Sequence, residues 1–363
     1  MKRKFIPLLF VLTAACTNYI DYDFGKEEAR PMVQGWLDTA SEEQTVRISL
    51  SEAGLVKPVE DARVVCTVNG KEVADVSRHF ESQVPQPGMR PSELLLSRQL
   101  SVSFPLSLRP GDRVQLSFEA NQGAYKAASA ELTVPEPVTI SRLDTARVTV
   151  RYVDRTDRYL QLLADVPDRK GEDNWYSISL REISEGTYAF RDGGPDISVS
   201  VDLPRHISEM DDPILLDGNR NSSGGFELFD FSGDGVFACF SDSQFRDATA
   251  HLKMNAFSSW NNEGADFENL AKELHRTYDS DKLAARGFVS CTARHWLEVR
   301  LSHCTQEAYS YLRALRTVSS SSYRPDIMEP LVIPSNIEGG VGFVGVVNTA
   351  SARIELPSEI QRY

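Results

Sequence analysis

The chain has 363 residues, which is enough for two domains of ordinary size. Its 52 acidic residues outnumber its 39 lysines and arginines and give a formal net charge of −13. So acidic a chain is unsuited to charge-driven binding of nucleic acid or anionic lipid, because both require clustered cations. We therefore expect no nucleic-acid partner.

Residues 1–15 have the features of a lipoprotein signal peptide. A positive start at Lys2–Lys4 precedes a short apolar run, well below the ~20 residues of a membrane-spanning helix. Two alanines supply the small residues that a signal peptidase requires, and Cys16 follows them. The stretch LTAAC resembles a lipobox, in which the cysteine thiol carries the lipid, although Thr13 stands where leucine is usual.

This pattern predicts lipidation at Cys16 and attachment to a membrane through that lipid anchor. Residues 16–29 are polar and lack periodicity, as expected of a lipidated tether. A plain secretory signal followed by a fortuitous Cys16 is the alternative. Both interpretations place the protein outside the cytoplasm.

From residue 30 onward, apolar and polar residues alternate in short runs such as TVRISLS, the pattern of half-buried strands. Asn69 and Gly70 stand between two such runs and predict a hairpin, because both residues tolerate positive φ. Prolines from Pro135 onward disfavour continuation of a central strand. The pattern predicts an immunoglobulin-like β-sandwich over 30–135.

Residues 136–363 predict a larger β domain, built as a sandwich or a barrel-like sheet. Strand-like runs such as NWYSISLREI recur, and two segments with helical spacing interrupt them. We predict helices near 266–278 and 305–317, with Thr305 as a cap of the second. The predicted fold class is therefore mainly β, with two inserted helices.

Four cysteines remain after Cys16. They allow three disulfide connectivities in an oxidising compartment, and proximity in sequence favours Cys291 with Cys304. The alternative is that all four are small buried hydrophobic residues, the others being Cys66 and Cys239.

No catalytic motif is recognisable in the sequence. It lacks a GxSxG elbow, a phosphate-binding loop and an HExxH zinc motif. His295 and His303 flank one strand-like run, and on an extended strand they would lie too far apart to share a metal ion. We predict no catalytic residues.

One loop has spacing that suits calcium. Asp217, Asn219 and Asn221 alternate as the first three ligands of a calcium loop do. Ser222 stands where that loop requires glycine, and Leu228 stands where it requires a bidentate glutamate. A solvated turn is the alternative, so calcium is the only cofactor that the sequence suggests.

Four stretches together resemble one bacterial family. They are RPMVQGWLD, EDNWYSISLRE, CFSDSQFRDATAHL and PSNIEGGVGFVGVVNTASARIELP, in that order. The family is the domain-of-unknown-function family 4249, lipoproteins typical of Bacteroidetes, and the resemblance covers 27–356. It implies an outer-membrane lipoprotein, on the periplasmic or the cell-surface side, whose partner is a TonB-dependent outer-membrane barrel.

The resemblance implies a non-enzymatic accessory in nutrient or peptide uptake, acting as a capture or lid protein. It carries over no catalytic residues. Two alternatives stay open: an extracytoplasmic hydrolase with an active site assembled from scattered residues, and a structural or adhesion protein of the cell surface. The glycine-rich tail is expected to form a final strand that closes the sheet of the second domain.

Overall fold

The computed structural model describes residues 28–52, 55–80, 98–151, 156–205, 207, 212–216, 237–258, 264–318 and 331–362. Within these ranges the chain is mainly β, as the alternating pattern predicted. The strands are distributed over three sheets, and each of the two smaller sheets packs against the largest one.

A central sheet of nine strands forms the backbone of the molecule. In spatial order it contains β13 (Ile197–Arg205), β12 (Trp175–Phe190), β16 (Phe288–Cys304), β18 (Val341–Arg362), β1 (Arg30–Asp38), β2 (Glu43–Glu52) and β3 (Leu55–Lys57), while β14 (Phe237–Ser241) also pairs with β12 and β6 (Leu100–Pro105) also pairs with β2. We call the face covered by the smaller sheets the inner face and the opposite face the outer face.

Strand β18 joins the two halves of the central sheet. Its residues 341–347 pair in parallel with β1, and its residues 347–362 pair antiparallel with β16. The predicted final strand therefore belongs to both halves of the molecule. It closes the second sheet as expected, and it also inserts beside the first strand of the chain.

The first sandwich consists of β1, β2, β6 and the start of β18 packed against a six-stranded sheet. That sheet contains β17 (Ile337–Glu338), β8 (Tyr125–Ser129), β7 (Arg113–Ala120), β4 (Asp61–Val68) and β5 (Lys71–His79), with β9 (Leu132–Thr133) also pairing with β7. Its core includes Val33, Val46 and Leu116 together with Val344 from β18. The sandwich is confirmed, but a segment ending at 135 would lack β17 and β18.

The predicted hairpin turn lies between β4 and β5. Asn69 has φ 52° and Gly70 has φ 77°, so both occupy the left-handed region that the sequence predicted. The Asn69 side chain also accepts a hydrogen bond from the backbone N–H of Arg113.

A second sandwich follows along the inner face. Its smaller sheet has the order β10 (Arg142–Arg151), β11 (Thr156–Pro167), β15 (Thr249–Ser258). Leu162 and Met254 from this sheet meet Ile178, Leu180 and Val299 of the central sheet in a buried core. Of the two predicted arrangements for the second β region, the described strands form a sandwich.

Four α-helices lie within the described ranges: α1 (Pro213–Leu216), α2 (Phe267–Thr277), α3 (Ser280–Arg286) and α4 (Gln306–Val318). Helices α2 and α4 match the two predicted helices to within one residue at each end, and Thr305 accepts a hydrogen bond from Ala308 N–H as a cap. The sequence analysis missed α1 and α3. None of these helices is long and apolar enough to cross a membrane.

The helices cover different parts of the central sheet. On the inner face, Leu270 and Leu283 of α2 and α3 pack beside Cys291, beyond the second sandwich. On the outer face, α4 stacks Tyr311 on Phe343 of β18 with ring centroids 4.2 Å apart. The inner face therefore carries the first sandwich, the second sandwich and then the α2–α3 pair.

The register of β18 separates the two ends of the body. Val341 pairs with Met32 at the start of β1, and Gln361 pairs with Cys291 beneath α2 and α3. At ~3 Å per residue, the strand between these levels is roughly 60 Å long. We call the level of Met32 the near end and the level of Cys291 the far end.

Candidate functional site

The disulfide predicted between Cys291 and Cys304 is wrong. Both residues lie on β16, one near each end of the strand. At ~3.3 Å per residue their Cα atoms are roughly 40 Å apart, whereas a disulfide requires less than about 7 Å. All four described cysteines are buried free thiols, which agrees with the alternative interpretation. Burial raises the pKa of Cys66 and of Cys304 to about 12.

These thiols are expected to be inert in the folded protein, because the thiolate is the reactive form and burial disfavours it. A thiol-specific chromophore should label none of the four without denaturant and all four after unfolding. Reductant should leave the melting temperature unchanged. A lower melting temperature in reductant would contradict the assignment, and rapid labelling of one further thiol would identify an unmodified Cys16.

Cys16 and the calcium candidates Asp217, Asn219 and Asn221 lie outside the described residues. Lipidation and calcium binding therefore stay predictions. Within the described ranges, no group of three or more histidine, cysteine, aspartate or glutamate side chains is placed to hold a metal ion.

The two histidines of β16 are buried separately. His303 lies within hydrogen-bonding distance of the Glu136 carbonyl oxygen, at 2.8 Å from Nδ1. Burial lowers the pKa of His303, partly offset by its bond to Glu136. His295 is buried where β12 pairs with β16, opposite Ser184. Their separation along one strand agrees with the expectation that they do not share an ion.

A buried carboxylate lies on the outer face of the central sheet. Glu298 is 1% exposed, and its oxygens accept hydrogen bonds from Nε of Arg300, at 2.7 Å, and Nε of Arg353. Burial alone would raise the pKa of Glu298, but the bonds and charges of the two arginines outweigh it and lower the pKa. This balanced cluster holds strands β16 and β18 together.

A second buried carboxylate lies on the inner face. Glu182 pairs with Arg205 at 3.3 Å and lies near Asp266, which caps α2. Burial raises the pKa of Glu182, Arg205 lowers it, and the charge of Asp266 raises it further. Glu182 is therefore the described carboxyl with the clearest acid–base perturbation, but it does not line the cleft described next.

An open cleft of about 420 Å³ lies at the far end of the body. One wall is the start of β13, and the other is α3 with the residues just before it. Ile197 and Leu283 contribute apolar surface, while Asp196, Tyr278 and Lys282 contribute polar groups. We call this feature the tip cleft.

Arg286 holds the two walls of the tip cleft together. Its guanidinium donates from Nε to Asp192 at 2.9 Å and from Nη2 to the Pro195 carbonyl oxygen at 2.7 Å. It also lies 4.0 Å above the ring of Phe190. A Cβ at Gly194 would stand 2.8 Å from Nη2, so glycine leaves room for the arginine. The hydrogen bond from Arg286 lowers the pKa of Asp192.

Replacing this clamp should loosen the loop without unfolding the body. We expect Arg286→Gln to speed amide exchange in 191–196 by about tenfold, because the loop loses a charge-assisted bond, a carbonyl bond and the ring contact. Hydrogen exchange with mass spectrometry measures this. Arg276→Gln, which breaks an exposed pair with Glu273 on α2, is the control and should leave 191–196 unchanged.

Other polar groups of the tip cleft are not committed to the fold. Within the described chain, Asp196 and Lys282 form no ion pair, and Tyr278 is 41% exposed. Asp279 caps α3 by accepting from the N–H groups of Asp281 and Lys282.

The sequence analysis did not identify any residue of the tip cleft. The signals were short: the turn sequence DGGPD after an aromatic strand, and YDSDK, in which an aspartate begins a short helix. Neither signal shows that the two stretches meet, since that depends on the β12–β13 pairing and on the Arg286 clamp.

A comparison with curated proteins found no match to the chain. A comparison with family models found one family whose model matches residues 17–353, nearly the whole chain, in agreement with the resemblance drawn from the four stretches. The chain belongs to the family described as "Domain of unknown function (DUF4249)".

Proposed function

We propose that the protein is a lipid-anchored, extracytoplasmic accessory of a TonB-dependent outer-membrane barrel, and that it captures nutrients or peptides for uptake. The observation that carries the proposal is the placement of the chain start and the tip cleft at opposite ends of the body. Met32 lies at the level of Val341, whereas the tip cleft lies beyond Cys291 and Gln361.

This arrangement suits a capture protein on a tether. A lipid on Cys16 would hold the near end, and residues 17–29 would span at most roughly 45 Å when extended. The body would add roughly 60 Å before the tip cleft is reached. The cleft would therefore face the aqueous side, within reach of soluble ligands and of the loops of a neighbouring barrel, on either side of the outer membrane.

A hydrolase is less well supported by the same geometry. Its best acid–base group would be Glu182, which is ion-paired with Arg205 and lies near the start of α2. The groups that are available in the tip cleft are polar and charged side chains without a nucleophile–base pair among them. Binding is the chemistry that they serve best.

The experiment is a pull-down of the full chain, tagged after its last residue, from native outer membranes in mild detergent. Mass spectrometry identifies co-eluting proteins, and labelled fatty acid reports acylation. We expect a TonB-dependent barrel in near-stoichiometric amount. The control is Cys16→Ser, which should lose the label and recover much less barrel. An intact, acylated bait without a barrel would contradict the proposal.

A further inference from the structure

Strand β13 is an edge of the central sheet. Among the described strands it pairs only with β12, from Tyr188 opposite Ile197 to Leu180 opposite Arg205. Every second backbone N–H and C=O group of an edge strand points away from its sheet. The outward groups of β13 are therefore available to a further strand.

The first part of this edge lacks the usual protection against pairing. Exposed edges commonly carry lysine, proline or a bulge that discourages a further strand. Residues 197–201 read ISVSV, without charge or proline, and their register with β12 is regular. The first charged residue is Asp202, which pairs with Arg181, and Pro204 follows it. An uncharged, regular edge of this kind suits addition of a strand.

The tip cleft lies at the beginning of the same edge. Ile197 is both a residue of β13 and part of the cleft. A residue opposite Ile197 on an added strand would point to the same face of the sheet, about 5 Å away. That face carries α2 and α3, so the side chain of the added residue would enter the cleft beside Tyr278.

The groups of the cleft favour a cation at that position. Arg286 is already balanced by Asp192, which leaves two carboxylates, Asp196 and Asp279, against one ammonium group, Lys282. The exposed ring of Tyr278 adds a face that attracts cations. The uncommitted charge of the described cleft is therefore negative.

We propose that the edge of β13 and the tip cleft together bind an extended peptide that carries a lysine or arginine. The peptide adds a strand to residues 197–203, and its basic side chain enters the cleft between Asp196, Tyr278 and Asp279. Backbone pairing supplies the affinity, and the cleft supplies the preference for a cation. The inference does not depend on a barrel partner, and its test uses the isolated chain.

Three capped peptides test the proposal by fluorescence anisotropy with the full chain in detergent. The first is Thr-Val-Lys-Val-Thr, the second has glutamate in place of lysine, and the third has two adjacent prolines in place of the first two residues. We expect the lysine peptide to bind about tenfold more tightly than the glutamate peptide, because the cleft charge changes from attractive to repulsive. The proline peptide should not bind, since it cannot complete the added strand.

Two variants of opposite charge locate the site. Asp196→Asn should weaken binding of the lysine peptide by about fivefold, because an uncommitted carboxylate is removed. Lys282→Gln is the matched control, and it should leave this affinity unchanged or improve it. Both side chains are exposed, so the fold should tolerate both substitutions. A loss with Lys282→Gln but not with Asp196→Asn would show an anion site and would overturn the proposal.

Hydrogen exchange tests the added strand directly. The lysine peptide should slow exchange of amides in 197–203, and the proline peptide should not. Binding without this protection would overturn strand addition, and so would equal affinity for all three peptides or no binding at millimolar concentration. If the edge amides were already protected without peptide, another part of the chain would cover β13, and the proposal would fail.

Discussion

Gly342→Ala is expected to lower the free energy of unfolding by roughly 3–5 kcal/mol, the range of severe single substitutions. Gly342 has φ 111°, a conformation that residues with a side chain rarely adopt. An added Cβ would overlap the carbonyl oxygen of Val33 and stand 2.9 Å from its carbonyl carbon. These are backbone atoms of β1, so no side chain can rotate away to relieve the overlap.

The effect should extend beyond the first sandwich, because the pairing of β1 with β18 joins both halves of the molecule. Gly171→Ala is the matched control. Gly171 also has positive φ, at 82°, but its added Cβ would have no neighbour within 4 Å. We expect that control to cost about 1 kcal/mol of backbone strain. Chemical denaturation measures both values, and equal losses for the two variants would contradict the close β1–β18 approach.

The double variant Arg300→Gln with Arg353→Gln is expected to lose roughly 3 kcal/mol at neutral pH. It leaves the carboxylate of Glu298 buried without its two cationic partners. The two arginines are 39% and 56% exposed, so each single variant should cost less than half of this amount. Arg294→Gln, which breaks an exposed pair with Glu355, is the control and should cost under about 1 kcal/mol.

The loss should depend on pH. In the native protein the folded-state pKa of Glu298 lies below its ordinary value of 4.5, so its stabilisation is present above that value and is lost as pH falls through the lowered pKa. Without the arginines, burial raises the folded-state pKa, and the destabilisation grows as pH rises above the ordinary value. The difference in unfolding free energy between native protein and double variant should therefore shrink between neutral pH and about pH 4.

A third substitution separates charge from packing. Adding Glu298→Gln to the double variant removes the buried charge and should restore most of the stability lost at neutral pH. A triple variant as unstable as the double variant would show that the arginines stabilise β16 and β18 mainly by packing. A difference that does not change with pH would lead to the same conclusion.

The sequence predicted local structure well wherever a few neighbouring residues determine it. The turn at Asn69 and Gly70 requires positive φ at two positions, and α2 and α4 have apolar faces long enough to show their period. Helix α3 was missed because its seven residues form less than two full periods of that pattern.

Pairings between distant segments were predicted less well. The tail glycines indicated a final strand, but not that residues 341–347 pair with β1, because a parallel partner leaves no turn sequence between the strands. Nearness in sequence wrongly favoured a disulfide between Cys291 and Cys304, since a strand separates its ends instead of bringing them together. The tip cleft was missed for the related reason that Asp196 and Lys282 meet only after β12, β13 and α3 have packed.

The most direct test of the central claim is the distance between the near end and the tip cleft. Spin labels on Lys126→Cys, beside Gly339 at the near end, and on Lys282→Cys, in the cleft, can be measured by pulsed electron paramagnetic resonance. The four buried cysteines should not take up label. We expect a single distance of roughly 50 Å or more, from ~3 Å per residue along β18. A distance below about 30 Å would place the cleft beside the chain start and would contradict a capture site held away from the lipid anchor.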